Sequence, residues 1–185
     1  SSMALQVIAW TQLQHVMLGT VSDRAAAWQL GLSAANLAIE IDRNDSQAFA
    51  YKAFLLCFAA DKQRAAEDLP NARRAYELNP NSRVAVAALA FSELCTGLAD
   101  EAVAHMHEAM RLNPRDPQRF NSYLQLSMAY LLKGDYGRGV ESARLGLTDA
   151  PGLPQLHGHL AMNLVGLGDI EAAKPACAEA RRLAP

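Results

Sequence analysis

The stretch GLADEAVAHMHEAMRLNP, residues 97 to 114, decides how this chain folds. It opens on a glycine, carries Ala102 and Ala109 on one helical face, and closes on Leu-Asn-Pro. Alanines two turns apart let a neighbouring helix approach closely, and Pro114 cannot continue the helix it follows. Outward from this stretch the closing signal recurs: Asn79-Pro80 lies 34 residues before Asn113-Pro114, and Ala150-Pro151 and Ala184-Pro185 follow at intervals of 37 and 34. A fixed period of this size marks a stack of small units, and each interval accommodates two short helices and two turns.

Each unit repeats one grammar. A first helix carries apolar residues at helical spacing: Leu89 and Leu94, then Leu126, Tyr130 and Leu131, then Leu160 and Leu164. A glycine turn follows, at Gly97, Gly134 and Gly168, where a left-handed backbone ends the helix and a nearby Asp (Asp100, Asp135, Asp169) is expected to cap the next. The second helix then carries small residues seven apart: Ala102 and Ala109, Gly139 and Gly146, Ala173 and Ala180. Pro175 falls about a turn inside the last of these helices. A helix start near Glu171 is expected to keep it close to the tolerated first turn.

The string at 97 to 114, with its Gly, two alanines and Leu-Asn-Pro, closely resembles the second helix of the tetratricopeptide repeat. The resemblance covers residues 83 to 185, about three repeats. It departs at Glu93, where the repeat usually has Tyr, at Gly139 and Gly146, which replace alanines, and at residues 115 to 119, which lengthen one turn by three. Upstream the match loosens. Residues 3 to 18 and 23 to 42 read as one longer helix pair, and 46 to 60 with 69 to 78 as another, joined by an extended polar stretch at 61 to 68. The expectation is an all-α, right-handed α-solenoid of about five antiparallel helix pairs in one continuous domain, with two irregular pairs over 1 to 80 and three repeats over 81 to 185.

The long first pair, the extended turn in the second and the segment NPRDPQRF also resemble the C-terminal repeat regions of bacterial multidomain regulators. Those regions follow class III nucleotide cyclase or winged-helix DNA-binding domains. That resemblance implies the regulatory part of a larger signalling or transcription protein or, alternatively, the homodimerisation segment of a nucleotide cyclase or regulator.

Composition narrows the function. The 185 residues are 51% hydrophobic with a formal net charge of -2, and the 17 Lys and Arg are dispersed among acids. No basic face presents itself for a run of phosphates, so nucleic acid is not an expected partner. No apolar run approaches the roughly 20 residues that span a bilayer, and no signal segment is evident, so a cytoplasmic location is expected. Ser1-Ser2 ahead of Met3 reads as a tag remnant. Cys57, Cys95 and Cys177 are odd in number and set in apolar surroundings, which favours buried free thiols over a disulfide or a metal centre.

Candidate chemistry is sparse. The pairs His105/His107 and His157/His159 sit two apart, which on a helix places the rings about 200° apart, so neither pair chelates one ion. Phosphate loops, nucleophile elbows and paired-cysteine zinc patterns are missing. Adjacent acids such as Glu40/Asp42, Glu67/Asp68 and Asp100/Glu101 read as helix termini and solvated faces. No catalytic residue, cofactor or metal is expected, and the chain does not read as an enzyme.

The family resemblance implies a concave groove lined by the first helices. Projected residue by residue, its stripe is Val84, Ala87, Phe91 and Leu94, then Asn121, Leu124, Met128 and Leu131, then Gln155, Gly158, Met162 and Val165, with Gln47, Ala50, Phe54 and Cys57 one unit earlier. Relatives that grip a peptide carboxylate use Lys, Arg and Asn here. This chain has Val84, Ala87, Ala88, Phe91 and Met128, with only Asn121 and Gln125 polar, which disfavours a carboxylate clamp. The ladder Phe54, Phe91, Met128, Met162 suits a protein or amphipathic peptide, another domain of the same protein, or packing between neighbouring helices. The remaining alternative, a small-molecule sensor or an enzyme using the groove, would need a polar pocket among Asn121, Gln125, Gln155 and His159. The last pair is expected to leave an uncovered side at Leu160, Leu164 and Leu167.

Overall fold

The computed structural model describes residues 1–59 and 67–184. Most of the polar stretch at 61 to 68 and the closing Pro185 lie outside the described residues. Among those described, ten helices follow in order: α1 (Ser2–Leu18), α2 (Arg24–Ile41), α3 (Ser46–Cys57), α4 (Asp68–Leu78), α5 (Arg83–Cys95), α6 (Ala99–Leu112), α7 (Arg119–Lys133), α8 (Tyr136–Asp149), α9 (Pro154–Gly166) and α10 (Ile170–Leu183). Their contacts divide the chain into two compact units, Ser1–Thr96 and Gly97–Pro185.

In the first unit α1 packs on α2 and α3 on α4, and each pair then meets the first helix of the next: α3 touches α1 and α2, and α5 touches α3 and α4. The second unit repeats the scheme, with α7 on α8 and α9 on α10, while α9 also touches α7 and α8. This is how a solenoid is made, since each pair buries its face only against its neighbours.

The punctuation is local. Gly97, Gly134 and Gly168 adopt positive φ of 83°, 74° and 80°, the left-handed turn expected of them. Asp135 and Asp169 cap the following helices, accepting hydrogen bonds from the amides of Arg138 and Ala172. Asp100 does not. After Gly97 the helix starts at once at Ala99, which puts Asp100 inside the first turn, where it pairs with Lys133 of α7. Upstream, Asp23, Asp45 and Ser82 cap α2, α3 and α5.

The small residues are buried where the spacing put them: Ala102, Ala109, Gly139, Gly146 and Ala173 all face the interior, with Ala180 half-buried. The two glycines are not interchangeable with alanine. A Cβ on Gly139 would stand 1.9 Å from Oδ1 of Asn163, and one on Gly146 would stand 2.7 Å from Cδ2 of Leu156. Helix α8 therefore approaches α9 more closely than an Ala-faced helix can.

Two expectations are corrected. Leu164 is buried in a small core with Val140 and Ala173, against which Leu160 also packs, so of the supposed uncovered side only Leu167 stands exposed. The helix turns inward at i and i+4, and these two leucines lie on that face. Helix α10 does begin beside Glu171, at Ile170, yet Pro175 then falls in its second turn, past the tolerated first one.

Candidate functional site

The projected stripe behaves differently in the two units. In the first, Phe54 of α3 and Phe91 of α5 stack at 5.8 Å between ring centroids, and Phe58 lies 5.6 Å from Phe91. Phe54, Ala50, Ala87 and Leu94 are buried; Val84, Phe91 and Cys57 are half-buried; Gln47 is exposed. The aromatic rungs here cement adjacent helices, because rings at this separation satisfy one another. The Arg24 guanidinium, 6.0 Å from the Phe58 ring, borders that cluster.

In the second unit the stripe opens. Asn121, Leu124, Met128 and Leu131 of α7 are half-buried. On α9, Gly158 is half-buried and Gln155 exposed, while Met162 and Val165 keep 42% and 53% of their surface in solvent. Helices α7 and α9 pack against each other, and each carries a methionine of the stripe, Met128 and Met162.

Buried between α7, α8 and α9 is a polar layer that sequence reasoning missed. Asn163, fully buried on α9, directs its Nδ2 toward the Ser127 carbonyl and hydroxyl oxygens at 3.3 and 3.1 Å and the His159 carbonyl at 2.9 Å. The Ser127 hydroxyl donates to the Gly139 carbonyl at 2.9 Å. Two carbonyls around Nδ2 fix the amide orientation, and Oδ1 is left facing Gly139 with no hydrogen-bond partner. The only signal in the sequence was the Gly-for-Ala exchange at 139.

The four residues of the supposed polar pocket do not form a common hydrogen-bonded set. Gln125 is buried with Oε1 unsatisfied, and Gln155 is exposed. His159 turns its Nδ1–H to the Leu124 carbonyl at 3.2 Å, and burial holds its imidazole pKa below the ordinary 6.5. The rings of His157 and His159 take separate partners. His157 donates from Nε2 to the Pro151 carbonyl at 2.8 Å, away from His159, and His107 meets the Tyr130 hydroxyl at 3.3 Å.

A second apolar face was not foreseen. Leu30, Leu37 and Ile41 stand 49% to 62% exposed along one side of α2. The cysteines also depart from expectation: all three are free, but none is fully buried and Cys95 is exposed. Cys57, Asp68 and Cys95 converge in the first unit, with their ligand atoms within 4.8 Å of one another. Cys57 and Cys95 end successive first helices of the repeat, so the period itself could have paired them.

No protein-family model matches the chain, and no curated protein does. Solved structures do. One MamA crystal structure is 14% identical, covers 86% of this chain and 90% of its own, and superposes with a TM-score of 0.64. MamA AMB-1 is 17% identical over 95% and 96% of the two chains at 0.65. A MamA RS-1 double mutant is 18% identical over 97% and 94% at 0.65. At such identity the likeness establishes the fold: this chain has the helical-pair architecture of the tetratricopeptide repeat.

Proposed function

We propose that this tetratricopeptide-type chain is a non-catalytic protein-interaction module that holds an amphipathic peptide or helix against the α7 and α9 face of its second unit. The observation that carries this reading is the exposed pair Met162 and Val165 beside half-buried Met128 and Leu131. Methionine adapts to irregular apolar surfaces, and removing such a face from water contributes roughly 25 cal/mol per Å². The likeness to MamA supports an interaction scaffold in general terms. The finer reading, a regulatory part of a longer bacterial signalling or transcription protein, rests on the sequence resemblance. The partner would then be another domain of that protein.

Self-association is a second reading, favoured by the exposed stripe Leu30, Leu37 and Ile41 on α2.

The test is selection of peptides from a random display library on the purified chain, followed by titration against Met162→Asp and Val165→Asp variants. Both positions are solvent-exposed, so the variants keep their fold, whereas Phe91→Asp would break the aromatic cluster. The expected result is binding weakened at least about tenfold by either substitution. Peptides that bind the variants as tightly as the parent would remove this face from consideration. Light scattering of Leu37→Asp beside the parent tests the second reading: identical monomers in both exclude it.

A further inference from the structure

Three helix ends meet in the first unit. Cys57 is the last residue of α3, Asp68 the first of α4 and Cys95 the last of α5. The Cys57 thiol donates to Oδ2 of Asp68 at 3.1 Å, and the Ser92 hydroxyl lies 3.7 Å from the same sulfur. All three ligand atoms fall within 4.8 Å of one another. We propose that Cys57, Asp68 and Cys95 form a binding site for a soft divalent cation of the zinc type, with the fourth coordination position open.

The geometry fits that class of ion. In a tetrahedral site with metal–sulfur bonds of about 2.3 Å, two sulfurs sit roughly 3.8 Å apart. All three ligand atoms lie within 4.8 Å of one another, so each pair falls within about 1 Å of such an edge or closer. Two thiolates and one carboxylate select zinc-like ions over magnesium or calcium, which require all-oxygen cages. All three ligands stand on helix termini, which holds them more firmly than loops would. Two of those termini are C-terminal ends, where the carbonyls carry partial negative charge and favour a cation. The Ser92 hydroxyl is placed to donate to a Cys57 thiolate, an outer contact that orients the ligand. Cys95 is exposed and supplies the path of entry, while Asp68 is buried.

Cation binding requires both thiols to lose their protons, so uptake weakens as pH falls.

The experiment uses the full chain, reduced and stripped by chelation, titrated with cobalt(II) under anaerobic conditions and then with zinc. Cys95→Ser, Asp68→Asn and Cys177→Ser run beside the parent. The expected result is one equivalent of cobalt with the sulfur-to-cobalt charge-transfer band of tetrahedral thiolate ligation, displaced by zinc, and a melting temperature raised by zinc. Cys177→Ser should behave as the parent. Cys95→Ser should lose band intensity and bind at least about tenfold more weakly. Asp68→Asn should also bind more weakly while melting, metal-free, no lower than the parent, which separates loss of a ligand from loss of fold. Failure of the reduced parent to take up an equivalent overturns the proposal. So does Cys177→Ser matching the loss at Cys95→Ser, or a Cys57–Cys95 disulfide mapped in a chain that ignores zinc once reduced.

Discussion

Gly139 and Asn163 show how one missing methyl group shapes the second unit. In an ordinary helix interior, glycine to alanine gains about 1 kcal/mol from helix propensity. Here the added Cβ would lie 1.9 Å from Asn163 Oδ1, far inside contact distance, and the amide is pinned by Ser127 and His159. Gly139→Ala is therefore expected to destabilise the chain by about 1–3 kcal/mol, as overpacking does. With Asn163→Ala already in place the sign reverses, because the obstruction is gone and propensity remains. Urea denaturation of the two single variants and the double variant measures the coupling, and additive effects would contradict this account. The sequence announced that something differed at 139, since the repeat pattern wants alanine there. It did not name Asn163, because the partner of a missing side chain is set by the angle between two helices.

At the scale of the element, the turn grammar carried most of the fold. Gly134-Asp135 and Gly168-Asp169 act as read, and helices predicted over 3 to 18, 23 to 42 and 69 to 78 appear within a residue or two of those bounds. These signals are local, so a single sequence holds them. The side on which a leucine points was less legible: Leu160 and Leu164 were read as uncovered because the order of packing between helices is not written in their spacing. Helix α10 offers two measurements. Pro175 lies in its second turn, where a proline has no amide to offer the carbonyl four residues back, that of Glu171, and its ring crowds that oxygen. Pro175→Ala is expected to stabilise the chain by on the order of 1–3 kcal/mol. Asp169→Ala removes the cap to the Ala172 amide and is expected to cost about 1 kcal/mol. Thermal melts that move in the opposite directions would contradict both assignments.

For the whole molecule, acid is expected to weaken the fold in two stages. Burial lowers the His159 pKa below 6.5, outweighing the hydrogen bond it donates to Leu124. The folded chain therefore resists protonation there, and the stability present above pH 6.5 is lost as pH falls through the folded value. The second stage belongs to carboxylates. Burial acts to raise Asp45, but hydrogen bonds from Ser2, Ala48, Gln6 and Gln47 together hold it below 3.8, and Arg119 holds Asp149 below the same value. Their contribution, present above pH 3.8, disappears below it. Asp68 works in the opposite sense: burial raises its carboxyl pKa, so its charge opposes folding near neutrality and protonation relieves it. His159→Gln is expected to flatten the melting temperature between pH 7 and the carboxylate range while leaving the second stage in place. An unchanged first stage would mean that another group drives it.

The close contact of α8 with α9 also leaves a trace beyond any one molecule. Because residue 139 has room for a side chain only when residue 163 is small, the two positions are bound to change together over evolutionary time. In a set of relatives, glycine at the first should travel with asparagine at the second and alanine at the first with something smaller, a paired inheritance readable from sequences alone.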